Sequence, residues 1–313
     1  MRTFFHLLRL PASCGTRHYG QEPGMSYHLI IGDYAYSSWS LRGWLLLERF
    51  GLSFRATLLD FSGRDVAHQL RNYRPARTVP TLVTPEGAIV SDSLAIAEEL
   101  ASRHPEAGHW PADPLRRATA RTLAAEMHAG FTALRSSCPM ATRVAYADFE
   151  ASDAVRADLA RLEELWTHAR AMAGEGPWLF GTYSAADAFY APVAARIATY
   201  GLPVGPEARA YVAAHIADPA FRRFRAMGLV QGADLPWYAK DNARRPWPGP
   251  APRPARVADG PSENATCPYS GKRATHFLEM DGRTFGFCNA FCRDKTMADP
   301  EAWPAFMAIV NHS

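Results

Sequence analysis

Two polar clusters and one trio of cysteines carry the chemistry this sequence can support. Pro80 stands in the run Arg77-Thr78-Val79-Pro80-Thr81-Leu82, at the head of a short β-prone stretch, where it removes a backbone donor. A proline so placed is a candidate cis bond. A cis Val79-Pro80 would turn the N–H and C=O of Val79 outward, free to pair with an extended, peptide-like ligand. Eleven residues on, Ser91-Asp92-Ser93 opens an apolar-periodic helix and sets hydroxyls and a carboxylate beside helix-terminal N–H groups. That combination suits a group with an ammonium and a carboxylate on one carbon, the arrangement of a γ-glutamyl end. Either motif alone is more often an ordinary strand-opening proline or an ordinary helix cap, and it is their spacing that joins them. Near the C-terminus, Cys267 is followed after twenty residues by Cys288 and after three more by Cys292, with Phe285 and Phe287 beside the second cysteine. Thiolates so spaced point to a metal in a reducing compartment more than to crosslinking. Cys14 and Cys138 belong to no such constellation and read as inert thiols.

The elements that must position these residues follow from periodicity. Tyr27 to Ile31 is β-rich, Gly32-Asp33 ends it, and a helix from about Ser40 to Phe50 turns Leu41, Trp44, Leu45 and Leu47 inward. Gly51 stops that helix and a strand from Ser53 to Leu59 follows, a βαβ unit whose strands are parallel. A short helix near Val66 to Asn72, strands Thr81 to Thr84 and Ala88 to Val90 around Pro85-Glu86-Gly87, and a helix from Ser93 to His104 complete the unit. The order gives a four-stranded mixed sheet with helices on both faces, a thioredoxin-like layout. From Asp113 to about Ala226 only helices are expected, among them Thr119 to Arg135 and Asp153 to Met172. Ser184 with Asp187 three residues later reads as a capping box opening an apolar helix to about Tyr200. Arg244, Arg245, Pro246, Pro248, Pro250, Pro252, Arg253 and Pro254 form an extended, semi-rigid linker. The small module beyond it cannot bury much core unaided.

The expected organisation is therefore an α/β thioredoxin-like domain over residues 25–107, an all-α domain over 108–239, a Pro/Arg-rich linker over 240–264 and a small cysteine-containing α+β module over 265–313. Residues 1–24, rich in arginine and poor in acids but without a convincing cleavage pattern, read as a non-structural extension ahead of Met25. The 313 residues suffice for two domains of ordinary size, and 48% apolar content for a substantial core. A net charge of +3, much of it at the two ends, leaves no nucleic-acid footprint. No apolar stretch approaches the roughly 20 residues of a membrane span. A cytoplasmic protein is expected.

The thioredoxin-like half, the helical half, the Val79-Pro80 turn, Asp92-Ser93 and the Ser184/Asp187 box together resemble the soluble glutathione transferases over about residues 26–235. The run Tyr36-Ser37-Ser38-Trp39-Ser40-Leu41-Arg42 is similar to the Ser-Ser-Cys-Ser stretch of the zeta-class enzymes, with Trp39 in place of the cysteine. The resemblance implies glutathione as co-substrate, a small-molecule electrophile and a homodimer. It implies that Ser37 or Ser38 stabilises the thiolate, that Thr78 and Val79 face the cysteinyl and glycyl parts, and that Asp92 with Ser93 holds the γ-glutamyl end. Thr78 stands where many relatives carry Lys or Gln, which leaves Arg77 to meet the glycyl carboxylate. A free thiol has a pKa of about 8.5, so an enzyme that uses it near neutrality must favour the charged form, through a hydroxyl donor and the positive end of the first helix. The second substrate is expected between the domains, lined by Tyr36, Trp39, His128, Phe131 and Arg135, the last three on one helix face with Met127 beside them.

The C-terminal run Phe285-Gly286-Phe287-Cys288-Asn289-Ala290-Phe291-Cys292 resembles TRASH and YHS-type metal-binding modules. Cys267-Pro268-Tyr269-Ser270 stands where many of those have Cys-x-x-Cys. The resemblance implies a site of Cys267, Cys288 and Cys292, with His276 as fourth ligand for zinc, or three thiolates alone for a softer ion such as Cu(I). Two functional classes follow. One is a transferase that conjugates or transfers the glutathione thiol, or a maleylacetoacetate-type isomerase. The other is a metal-handling or sensing protein with the transferase fold as scaffold.

Overall fold

The computed structural model describes residues 26–63 and 65–312. The expected extension at 1–24, with Cys14, lies outside the described residues. Strand β1 (Tyr27–Ile31), helix α1 (Ser38–Glu48) and strand β2 (Phe54–Leu58) open the chain, and β2 pairs parallel to β1 from Tyr27↔Phe54 to Ile31↔Leu58. A one-turn helix α2 (Val66–Gln69) and a 3-10 turn at Arg71–Tyr73 stand where a single short helix was expected. Strands β3 (Thr81–Val83) and β4 (Ile89–Ser91) form the hairpin, and β3 runs antiparallel to β1. The sheet order β2-β1-β3-β4, closed by α3 (Ser93–Arg103), is the mixed thioredoxin-like layout. Every residue of β1 is buried, which is why it reads as a continuous apolar run and not as an alternating one. From Ser40 to Glu48 helix α1 is buried all round, because it lies between this sheet and the helical domain.

The helical domain comprises α4 (Pro114–Ala129), α5 (Thr132–Ser137), α6 (Asp153–Ala171), α7 (Ala185–Tyr200), α8 (Pro206–Ala217) and α9 (Pro219–Val230). Its centre is α7, buried along its whole length and fixed at its start by the Ser184/Asp187 capping box. The Asp187 carboxylate also accepts from Leu179 N at 3.1 Å and from the Tyr211 hydroxyl at 2.8 Å, so a buried acid is fully engaged.

Two expectations are corrected here. The helix read as Thr119 to Arg135 breaks: Gly130 caps α4 in an extended conformation and Phe131 adopts φ 58°, left-handed for a residue with a bulky side chain. The segment expected to hold only helices contains a short strand, β5 (Ala145–Tyr146), paired with β6 (Arg244–Arg245) from the Pro/Arg-rich stretch. Two-residue strands lie below what sequence periodicity can register. The same stretch is held at its other end by β7 (Arg256–Ala258), which adds to β8 (His276–Met280) and β9 (Arg283–Phe287).

Helix α10 (Ala290–Ala298) and α11 (Pro304–Asn311) complete the C-terminal module, which packs on α9. Arg222 of α9 makes a bidentate contact with Asp299 at 2.6 and 2.9 Å, and Arg223 reaches Glu48 Oε1 at 2.8 Å and the carbonyl of Ala302 at 2.8 Å. Phe285, Phe287, Trp303 and Phe306 are buried in the same continuous apolar cluster as the core of the thioredoxin-like and helical domains. A module too small to bury its own core thus borrows one.

Candidate functional site

A cavity of about 770 Å³ opens between the two domains, within the usual range for a small-molecule site. Its thioredoxin-side wall carries Ser37, Ser38, Arg77, Thr78, Val79, Asp92 and Ser93, and its helical-side wall carries Thr132, Arg135, Ser136, Met140 and Arg196. Tyr36, Trp39 and Tyr238 also line it. The structure therefore brings together both sequence motifs, although Ser38 and Arg196 lie 158 positions apart.

The Val79-Pro80 bond is cis. Among the described residues the backbone N–H and C=O of Val79 meet no partner, so one donor and one acceptor face the cavity wall. Pro80 is held there by α1: a Cβ on Gly43 would stand 2.7 Å from Pro80 Cβ and 2.8 Å from its Cγ, so only glycine lets the helix approach this closely. Asp92 caps α3 at φ 86° and ψ 131°, outside the left-handed helical region that Asp visits readily, a strained backbone of the kind that recurs at ligand clamps. Its Oδ1 accepts from Leu94 N at 2.7 Å and Ala95 N at 3.4 Å, leaving Oδ2 to lie 3.2 Å from His128 Nε2. Ser93 is fully buried and its Oγ has no protein partner, an unsatisfied hydroxyl in the wall of the cavity.

The two serines differ in what they are free to do. Ser37 caps α1: its Oγ accepts from Ser40 N at 3.3 Å and its hydroxyl donates to Ser40 Oγ at 2.8 Å. Ser40 in turn accepts from Gly32 N at 2.8 Å, so Ser37 belongs to a closed local network. Ser38 is the first residue of α1 and half-buried, and its Oγ accepts from Arg196 Nη2 at 3.3 Å. With its oxygen so engaged, the Ser38 proton is free to donate into the cavity at the positive end of the helix.

Trp39 lies against the guanidinium of Arg42 at 4.4 Å and that of Arg135 at 5.0 Å from its ring centroid, with His128 edge-on at 5.0 Å. Tyr36 stacks on Tyr238 at 4.9 Å and donates to Asp234 Oδ1 at 3.3 Å. Of the five residues expected around the second substrate, Tyr36, Trp39 and Arg135 line the cavity, and His128 and Phe131 do not. The break at Gly130 and Phe131 explains this: it puts Arg135 on α5, a different helix from the one that carries His128, while Phe131 and Met127 lie in the core. His128 instead touches Asp92, and burial lowers its pKa, which keeps the ring neutral near pH 7. Arg196 and Tyr238 were not found by sequence reasoning. The one available signal for Arg196 was a lone cation in the apolar helix Ala185–Tyr200.

In the C-terminal module the Sγ atoms of Cys267, Cys288 and Cys292 lie within 4.8 Å of one another, with Cys288 and Cys292 at 3.9 Å. Tetrahedral zinc–thiolate bonds of about 2.3 Å imply S···S edges of roughly 3.8 Å, so the trio fits a thiophilic ion. His276, expected as fourth ligand, is not among the converging atoms. Its Nδ1 lies 3.0 Å from Thr275 Oγ1 instead. Ser270 stands beside the trio and donates to Cys288 Sγ at 3.2 Å. Asn289 caps α10 by accepting from Cys292 N at 2.8 Å and contributes a donor 3.4 Å from Cys288 Sγ. No helix among the described residues is long and apolar enough to cross a membrane.

Comparison with known proteins agrees with this geometry. Residues 36–103 match the family model "Glutathione S-transferase, N-terminal domain" and residues 139–218 match "Glutathione S-transferase, C-terminal domain". A "Probable maleylacetoacetate isomerase" of Caenorhabditis elegans is 31% identical over 99 residues, 32% of this chain, and the chain spans 45% of that relative's length. Among solved structures, Ure2p in complex with S-hexylglutathione superposes with a TM-score of 0.52 at 18% identity, covering 65% of this chain and 100% of Ure2p. A Tau class glutathione S-transferase from mango, Mangifera indica, superposes with a TM-score of 0.50 at 17% identity, covering 64% of this chain and 92% of its own. These last two likenesses concern the fold. The two family models match in order, on either side of one cavity, so residues 36–103 and 139–218 are similar to the N-terminal and C-terminal domains of glutathione S-transferases.

Proposed function

We propose that the protein is a glutathione transferase, conjugating or transferring the glutathione thiol to a small electrophile, with Ser38 as the hydroxyl that stabilises the thiolate. The observation that carries this reading is the row of unpartnered groups along one wall: the Val79 backbone pair, the buried Ser93 Oγ and the Ser38 proton. Val79 would pair with the cysteinyl backbone, Asp92 with the γ-glutamyl ammonium, and Ser93 with the α3 N-terminus would hold the adjoining carboxylate. Arg77 and Thr78 stand at the glycyl end. Ser37 serves as the cap that fixes α1, and Arg196 acts through Ser38 as a positioning residue. The fold family supports a homodimer.

The likeness to the Caenorhabditis elegans protein, a probable maleylacetoacetate isomerase, brings isomerisation of a maleyl-type acid into the same assay. Trp39 occupies the place at which the zeta-class motif has its cysteine, which favours conjugation. A purely metal-handling role leaves the open cavity and its glutathione-sized wall without a purpose. The three-cysteine module is proposed to hold a thiophilic ion through Cys267, Cys288 and Cys292 that crosslinks β9, α10 and the Cys267 turn. Calorimetric titration with glutathione tests the central reading. A dissociation constant in the millimolar range or tighter is expected, and absence of binding by the folded protein refutes it.

A further inference from the structure

Guanidinium groups from three helices stand around the Ser38-Trp39 turn, and the glutathione half of the site does not use them all. Arg42 of α1 and Arg135 of α5 flank the indole, and Arg196 of α7 reaches Ser38. Among the described residues none of the three pairs with a carboxylate. Arg196 donates to the carbonyls of Cys138 and Pro192, and Arg135 uses only Nη1, toward the carbonyls of His128 and Gly130 at 3.4 and 3.2 Å. Arg42 is 1% exposed, yet its Nε and Nη1 have no partner. Burial and mutual repulsion bring Arg42 down to about 9 and Arg196 down to about 10. Among the described residues that line the cavity, Asp92 is the one acid against Arg77, Arg135 and Arg196.

Buried cations at this density call for a counter-charge that arrives with a ligand. Glutathione supplies part of it. Its ammonium takes Asp92, its glycyl carboxylate lies toward Arg77, and its thiolate is met by Ser38 with Arg196 behind. Arg135, on the opposite wall and backed by Arg42 through the indole, receives nothing from glutathione.

We propose that the second-substrate side of this cavity takes an anionic electrophile, a small carboxylate-bearing acid with an apolar or aromatic body, whose carboxylate docks on Arg135 while Trp39 and Met140 flank the body. The proposal rests on the glutathione transferase reading and names the substrate class of the same site. A carboxylate accepting from a guanidinium is among the stronger polar contacts, and Arg135 keeps Nε and Nη2 available for it.

The test uses the intact protein and two matched substrates, 4-chloro-3-nitrobenzoate and 4-chloro-3-nitrobenzamide. In each the glutathione sulfur forms a bond to the chlorine-bearing ring carbon, the C–Cl bond breaks, and chloride leaves with the bonding electrons. The thiol proton goes to solvent and no oxidant or reductant enters. Each kcat/KM is divided by the uncatalysed rate with free glutathione, which removes the intrinsic difference between the two rings. The acid should be preferred by about tenfold or more. Arg135→Gln should abolish that preference by raising KM for the acid far more than for the amide, and Arg135→Lys should restore part of it. Equal handling of the two by the unmodified protein, turnover of neither by a protein that binds glutathione, or a preference that survives Arg135→Gln each overturns the proposal. A protein that fails to bind glutathione at all overturns the transferase reading together with it, and the calorimetric titration tells the two failures apart.

Discussion

Replacing Ser38 by alanine separates the two serines that sequence left equivalent. Ser37 spends its hydroxyl on Ser40 at 2.8 Å, whereas Ser38 lines the cavity with its oxygen accepting from Arg196 at 3.3 Å and its proton left free to donate. A hydrogen bond to a charged group contributes about 1.5–3 kcal/mol. One pKa unit corresponds to about 1.36 kcal/mol, so Ser38→Ala should raise the pKa of the bound glutathione thiol by about 1–2 units. At a pH below both values the thiolate fraction, and with it the conjugation rate, should fall by about tenfold to a hundredfold. The assay is a pH titration of thiolate ultraviolet absorbance in the binary complex, read beside glutathione affinity. Ser37→Ala should leave that titration nearly in place and cost about 1 kcal/mol of folding stability through the lost helix cap. A thiol pKa that moves with Ser37→Ala and stays fixed with Ser38→Ala would refute the assignment.

Gly43→Ala puts a methyl group against the Pro80 ring and should weaken glutathione binding by about tenfold while the helical domain stays folded, which titration and circular dichroism would report together. Unchanged affinity would mean that the turn is not positioned by α1. His28, His109 and His215 are buried, with pKa values lowered from 6.5 to about 4, about 4 and about 3. Each is lowered on folding, so its contribution is intact above 6.5 and is lost as the pH falls toward the folded value. Together they give at most about 4 kcal/mol of lost stability per pH unit below 6.5. Urea unfolding at stepped pH checks this, and His109→Gln should flatten the slope; a slope that does not change removes His109 from the account. Cys288→Ser should reduce native-mass metal content from one ion per chain to none and lower the thermal midpoint of the module. An identical metal content would place the ion elsewhere.

The thioredoxin-like half was legible because its signals are local. Alternating or continuous apolar strands, Gly51 after a helix and a turn between two short strands each leave a period or a punctuation mark in the chain. Strand β1 was read with its bounds as they stand, and the Ser184/Asp187 box opened α7 as expected. Illegible features had non-local causes. Strand β5 exists because β6, about a hundred positions later, supplies its partner. The break at Phe131 reflects packing of Phe131 and Leu134 into the core, with Asp158 of α6 accepting from Leu134 N at 2.8 Å. No propensity at Phe131 announces a left-handed backbone.

By itself the sequence determined which residue types stand in chemical patterns: the Val79-Pro80 turn, Asp92-Ser93, the paired serines and the spacing of three cysteines. Tertiary structure decided their partners, since those arrive from elsewhere in the chain. Arg196 comes from α7 to engage Ser38, Ser270 stands near the thiols where His276 was expected, and His128 turns from the cavity to Asp92. Spacing along a chain fixes which neighbours a side chain can meet within a few residues. Partners across the core are set by how the helices pack, and there the charges of this cavity were assembled.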